Sequence, residues 1–302
     1  MTVTVDVLVV GGGPAGLSAS LILGRCRRSL LVCDKGEQRN LASLAVHGLL
    51  GREGTPPTEL LAEAHHDLAK YPSVAHRPTA VTGIEPHGDV FCFHCADGTS
   101  GSARKVLLAT GLTDHIPEID GVEPLYGRSV HHCLYCDGYE HRDRPLAAYG
   151  LADKAVGLAL MMKQWSQDII LCTNGTTPSA AAMERLQAHD VAVISKPVAC
   201  LQGSGGYLER IWFNDGAAIE RKAMFFATGC HQQSNLSRLL GCARDEKGGI
   251  ITNAQTEETS ITGVYAAGDE SRDVLLVAVA IAEGAKAGVA INKALLHADG
   301  LL

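Results

Sequence analysis

The chain has 302 residues, 46% of them hydrophobic and 20% charged, enough for one large or two ordinary domains with their own cores. A formal net charge of −7, with Lys and Arg scattered rather than gathered in a stripe, gives no electrostatic footing for nucleic acid and leaves a small soluble substrate as the expectation. The longest apolar run, residues 274–282, stops at Glu283, far short of the ~20 residues a membrane helix needs.

Residues 5–10, rich in β-branched side chains, predict a first strand. The run lacks the basic start and cleavage region of an export signal, so a reducing cytoplasm is expected. In that setting most of the ten cysteines are small buried hydrophobes, and Cys26, Cys33, Cys172, Cys200, Cys230 and Cys242, which have no CxxC partner, are read as structural. The strand runs into Gly11-Gly12-Gly13-Pro14-Ala15-Gly16, then a helix-length apolar stretch, then a second strand at 30–34 ending in Asp34. Strand, glycine loop, helix, strand and acid make a dinucleotide-binding βαβ unit. Gly11 serves the tight turn, Gly13 the approach of a pyrophosphate, and Gly16 the helix–strand contact. Asp34 is placed to bond a ribose.

Residues 60–68 read as an amphipathic helix whose adjacent His65 and His66 lack the i, i+4 spacing of a metal pair. An antiparallel insertion follows, with strands at 80–84 and 90–95 and a turn at Asp97-Gly98. Cys92 and Cys95, three apart on a strand, point to opposite faces, so no zinc site with Cys133 and Cys136 is expected. A strand at 106–108 ends in Ala109-Thr110-Gly111, and a near copy, residues 224–226, ends in Ala227-Thr228-Gly229. The repeat implies two related nucleotide-type domains, with the chain crossing between them twice. The expected division is 1–115 plus 240–302 for the first, discontinuous domain and 116–239 for the second.

Between the copies lies Cys133-Leu134-Tyr135-Cys136, two thiols spaced to close a small disulfide at the start of a helix and to exchange two electrons. A second βαβ unit follows, with a strand at 145–149, a loop at 150–155, a helix at 156–165 and a strand at 168–172. Of its three loop glycines only Gly150 remains. The Ala152 methyl crowds the pyrophosphate approach, and residues 173–178 contain no Arg or Lys for a 2′-phosphate. NADPH is therefore not expected as a cofactor. The chain then returns to the first domain through a strand ending in Gly268-Asp269, where Asp269 suits a cofactor hydroxyl, and a long helix at 274–296.

Taken in order, Gly11–Gly16, Ala109-Thr110-Gly111, Cys133–Cys136 with Asp137-Gly138, and Gly268-Asp269 resemble the motifs of thioredoxin reductases of the low-molecular-weight type, over essentially the whole chain. The resemblance implies an α/β fold of two Rossmann-like domains, one discontinuous and holding FAD, the other inserted and carrying the CxxC, in a homodimer. It extends the expected FAD contacts from Gly11, Gly13, Gly16, Asp34, Gly268 and Asp269 to Pro14, Ala15, Asn40, Val81, Ala109, Thr110 and Gly111. Ordinary members keep an intact second glycine loop and a His-Arg-Arg type motif, both absent here. In that respect the chain is similar to a branch of dithiol oxidases that close disulfides in natural products of the gliotoxin, holomycin and romidepsin kind. Some of those oxidases carry His after the second cysteine, whereas this chain has Asp137, as true reductases do.

The expected reaction is oxidation of a small-molecule dithiol, with molecular oxygen as final acceptor. By resemblance, Cys133 meets substrate and Cys136 faces the flavin. His132 is the first candidate base, because imidazole titrates near neutrality, Asp137 the second and Asp273 the third. The alternatives are a solvated pair for His131 and His132, and helix caps for Asp137 and Asp273. The rival function is a reductase that uses NADPH or ferredoxin to reduce a protein disulfide.

Overall fold

The computed structural model describes residues 2–271 and 274–302. Strand β1 (Thr2–Val10) leads through the glycine loop into helix α1 (Pro14–Arg25), and β2 (Leu30–Cys33) returns parallel to β1, with Val9 opposite Val32. Residues Val7 to Val10 are all buried, as expected for a parallel strand covered on both faces. Helix α2 (Pro57–Leu68) precedes β3 (Val74–Arg77), which extends the sheet beyond β2.

β4 (Val81–His87), β5 (Val90–Cys95) and β6 (Ser100–Leu108) form the antiparallel meander. β4 runs three residues past the expected end at Ile84, because the ladder with β5 continues to the His87–Val90 pair. β6 is shared between layers: its first half pairs with β5 and its full length pairs with β1.

The chain leaves this unit through β7 (Leu112–Asp114). In the second unit β8 (Val130–His131) is followed by the one-turn helix α3 (Leu134–Asp137), β9 (Leu146–Tyr149), α4 (Val156–Met162), β10 (Ile169–Cys172), α5 (Ala180–Ala188) and β11 (Ala192–Ile194). An antiparallel layer, β12 (Val198–Ser204), β13 (Tyr207–Phe213) and β14 (Ala218–Glu220), precedes β15 (Ala223–Phe226). The parallel sheet has the order β11-β10-β9-β15-β8. Helix α4 stops at Met162 rather than Trp165, since bonds from Lys163, Gln164 and Trp165 to carbonyls three residues back tighten the chain into turns.

The return strand is β16 (Cys230–Gln232), followed by α6 (Leu236–Leu239), β17 (Val264–Ala266) and α7 (Val277–Ala298). β17 takes the place beside the second half of β6, with Val264 opposite Val106. Helix α7 begins three residues after the expected start, because Leu276 is extended at φ −122 and ψ 146.

The contacts divide the chain into one unit of Met1–Leu41, Leu49–Thr113 and His231–Leu302, and another of Ala42–Gly48 and Asp114–Cys230. The second crossing thus falls nine residues before the 239/240 junction read from sequence, because Leu236, Leu240 and Cys242 pack into the first unit's core beside Ile84 and Phe93. The short segment Ala42–Gly48 is held in the second unit, where a Cβ on Gly127 would stand 2.2 Å from the Ala42 carbonyl oxygen.

In the first unit the strands send alternate residues to two cores: Leu8, Val10 and Leu31 to one face, and Val7, Val9 and Leu30 to the other, against α1 and α7. There the helices approach backbone to backbone. A Cβ on Gly284 would lie 2.1 Å from the Ala15 carbonyl oxygen, so only glycine fits.

Candidate active site

In the first unit, elementary sterics explain the glycine loop. Gly11 has φ +108, and a Cβ there would sit 2.1 Å from the Ala109 carbonyl oxygen, while one on Gly16 would sit 2.0 Å from the Gly11 carbonyl oxygen. A Cβ on Gly13 would meet only Gln38 Cγ at 3.8 Å, so the loop is open on that side. Gly13 caps α1 with no side-chain bond, and Pro14 has no N–H to satisfy, which leaves the start of this 12-residue helix as an anion-binding end. The cradle fits the pyrophosphate of a dinucleotide.

Around the cradle, Gln38 Nε2 donates to Asp34 Oδ2 at 2.7 Å, and Arg39 Nη1 donates to Asp269 Oδ2 at 2.8 Å. Ala109 N–H donates to the Val10 carbonyl, and Gly111 turns the chain at φ +70. Thr110 gives its backbone N–H (2.6 Å) and its hydroxyl to Glu270 Oε1. Glu270 is fully enclosed, its Oε2 has no partner among the described residues, and burial pushes its pKa up to about 7. Val81 opens β4 within the core, and Asn40 is half-buried in the turn after β2. Gly268 N–H donates to Glu283 Oε2 at 2.6 Å. Asp273 lies outside the described residues.

In the second unit Cys133 and Cys136 are joined as a disulfide, with their Cα atoms 5.3 Å apart. Cys133 itself caps α3, its Sγ accepting from the Cys136 N–H at 3.1 Å. The helix expected after the first cysteine is this single turn, and Tyr135, between the thiols, is 71% exposed beside Trp165.

The two flanking histidines part company. His131 is buried on β8 rather than solvated, stacked on Phe225, with Nδ1 3.4 Å from Asp137 Oδ2 and Nε2 3.0 Å from His141 Nε2. His132 is partly exposed. Its Nδ1 lies 3.1 Å from the Tyr126 hydroxyl and 3.5 Å from Asp114 Oδ2. Asp137 ends α3 and turns its carboxylate to His131, so it does not cap the turn that follows.

Along β5 alternation sends neighbours to opposite faces, and this decides Cys92 and Cys95, whereas Cys26, read as structural, is exposed at the end of α1. Cys95 meets Cys33 inside the first unit with the sulfurs 3.8 Å apart, while Cys92 faces the other way and is half-exposed. Burial, and then each other's proximity, raises the Cys33 thiol far above the ordinary range.

The second glycine loop is rebuilt rather than merely shortened of glycines. Ala152 adopts φ +46, and its N–H donates to Thr176 Oγ1 at 2.7 Å. Residues Ala152–Ala155 form a 3₁₀ turn, so α4 starts only at Val156. Asp153 Oδ1 accepts from Ser179 N–H at the start of α5. The amide that would meet a phosphate is occupied, and a carboxylate has been added beside it.

Sequence reading did not find Arg39, Glu270, Asp114, Tyr126, His141 or Thr176. Each is polar, in a loop or at an element's edge, and meets its partner at a separation that follows no motif, from six residues for Tyr126 to 230 for Arg39. The GxGxxG and CxxC spacings, by contrast, are local.

Residues 5–284 match the pyridine nucleotide-disulphide oxidoreductase family. The thioredoxin reductase tcpT of Claviceps purpurea is 30% identical over 97% of this chain and 94% of its own length. The thioredoxin reductase sirT of Leptosphaeria maculans is 28% identical over 97% and 95%. Among solved structures, HlmI aligns with a TM-score of 0.95 at 32% identity over 99% of this chain and 96% of that one. The thioredoxin reductase of Streptococcus pyogenes aligns with a TM-score of 0.90 at 26% identity over 98% and 100%.

Proposed function

The chain belongs to the pyridine nucleotide-disulphide oxidoreductase family, and on that premise we propose that it is an FAD-dependent dithiol oxidase. Its substrate is a small-molecule dithiol in which it closes an intramolecular disulfide. One observation carries the direction of the reaction: the loop at Gly150–Ala155 has its Ala152 amide bound to Thr176, while the cradle at Gly11–Gly16 stays open. A chain that holds one dinucleotide site and has closed the other draws its electrons from a thiol substrate rather than from NADPH.

Bound FAD would supply the electron sink between the dithiol and molecular oxygen, held by the Gly11–Gly16 loop, Asp34, Ala109–Gly111 and Asp269. The chain's own residues perform the thiol chemistry. A substrate thiol loses its proton and attacks Cys133, breaking the Cys133–Cys136 bond and expelling Cys136 as thiolate. The second substrate thiol loses its proton and attacks the substrate sulfur of the mixed disulfide. The cyclic disulfide leaves, and Cys133 and Cys136 hold the two electrons with the substrate's two protons to be passed on. His132, set by Tyr126 and Asp114, and Asp137, set by His131, are the proton acceptors on this unit.

Asp137 after the second cysteine favours a second reading, a reductase acting outward on a protein disulfide. The test is anaerobic absorbance of the yellow holoprotein with NADPH in one cuvette and dithiothreitol in another, followed by air. The oxidase reading requires bleaching by dithiothreitol alone, then return of colour with peroxide. Rapid bleaching by NADPH would overturn it.

A further inference from the structure

We propose that His131 and His141 form a buried imidazole pair that positions Asp137 and holds the proton it exchanges in the thiol–disulfide step. The inference rests on the reading that Cys133 and Cys136 react with thiols, and it deepens that reading by naming what sits behind the carboxylate. Three polar groups are strung in a line. Asp137 Oδ2 faces His131 Nδ1 at 3.4 Å, and His131 Nε2 faces His141 Nε2 at 3.0 Å. Both imidazoles are enclosed, at 3% and 5% exposure, and both rings lie against Phe225.

Hydrogen-bond inventory limits what this line can hold. Two Nε2 atoms 3.0 Å apart need one proton between them, and an ionised carboxylate can only accept. If His131 is neutral with its proton on Nδ1 toward Asp137, His141 must donate from Nε2. If His131 carries both protons, His141 must accept at Nε2, and His131 becomes a cation paired with Asp137. The second arrangement depends on His141 staying neutral.

The surroundings keep it so. Burial, then the neighbouring His131 ring, lower the His141 pKa to about 4, with Arg144 acting in the same sense. The Asp137 carboxylate and the Arg128 carbonyl pull the other way and are outweighed. His141 thus offers its Nε2 lone pair to His131, the second arrangement above, and its role is to fix the His131 ring with Nδ1 directed at Asp137 and keep that carboxylate aimed. Neither histidine need touch substrate, so both are positioning residues.

The test uses the anaerobic holoprotein and dithiothreitol. The rate of opening of the Cys133–Cys136 disulfide is read across pH by acid quench, alkylation and mass of the peptide containing both cysteines. His141→Phe removes the acceptor, so the acidic limb of the profile moves up by about one pH unit. His141→Gln, whose amide oxygen can accept from His131, returns the limb to its wild-type position. His131→Asn, which retains a donor to Asp137 but no second ring nitrogen, gives the upward shift and serves if the Phe variant fails to fold. In Asp137→Asn the limb disappears, and adding His141→Phe changes nothing further in its shape. A wild-type limb in His131→Asn and His141→Phe, or a loss of rate that is equal at every pH, overturns the proposal. Flavin absorbance, recorded in the same samples, separates the two readings: a disulfide that opens without bleaching the flavin sinks the oxidase and leaves the pair standing.

Discussion

Gly16→Ala tests the assignment of the FAD site to the Gly11–Gly16 cradle. The added Cβ would stand 2.0 Å from the Gly11 carbonyl oxygen. An ordinary carbon–oxygen contact is roughly 3.3 Å, so α1 and the loop must separate by about 1.3 Å. Overpacking of that kind costs about 1–3 kcal/mol in stability. The larger effect falls on the ligand, because donors displaced by over an ångström no longer reach a phosphate oxygen. Loss of two charge-assisted bonds at roughly 1.5–3 kcal/mol each lowers affinity by about two to four orders of magnitude. The assay is flavin content after purification, with the free-FAD dissociation constant measured by titration of apoprotein. Gly288→Ala is the control, since its Cβ would meet Ile22 Cβ at 3.0 Å and the Ala19 carbonyl oxygen at 3.1 Å and so perturbs the packing of α7 on α1 away from the loop. A Gly16→Ala protein that retains stoichiometric FAD at wild-type affinity would refute the assignment.

Four further outcomes are expected. Cys136→Ser leaves Cys133 without its resolving partner, so a dithiol cannot bleach the flavin, and a substrate-derived mixed disulfide at Cys133 can be sought by intact mass after mild oxidation; bleaching at the wild-type rate would contradict the assigned pair. Ala152→Gly removes a left-handed strain of roughly 1–2 kcal/mol and gives back about 0.4–1 kcal/mol of unfolded-chain entropy, a net gain of about 0.5–1 kcal/mol in urea titration. Adding Ala155→Gly to complete the glycine spacing still yields no NADPH bleaching, since Thr176 retains the Ala152 amide and α4 still begins late; bleaching by NADPH would show that the glycines alone closed the site. Glu270 has its folded pKa raised to about 7, so the native state binds its proton more tightly than the unfolded chain, and the contribution present below the unfolded value is lost as pH rises through 7. Glu270→Gln removes that dependence. The variant gains on the wild type by on the order of 2–3 kcal/mol between pH 5 and pH 8, and parallel stability curves would contradict the buried proton.

Features that depend on near neighbours are legible in the order of residues. The loop Gly11–Gly16 needs small residues at fixed spacing because its own backbone crosses itself there, so the requirement is written locally. The same holds for Cys133 and Cys136, one helical turn apart, and for the β-branched run in β1 and the short apolar runs in β2 and at the end of β6. The loss of glycines at Ala152 and Ala155 was equally visible.

Which polar groups meet is set by the folded chain. His132 and His131 are adjacent in sequence, yet pleating sends one to Asp114 and Tyr126 and the other into the core against His141 and Asp137. Cys33 and Cys95, 62 residues apart, come together because β2 and β5 turn these side chains into the same core. Thr176 reaches the Ala152 amide because two parallel strands, β9 and β10, end side by side. Spacing along the chain sets backbone geometry, which is short-ranged; hydrogen bonds between distant side chains follow from sheet register and helix placement, which the whole core must settle first.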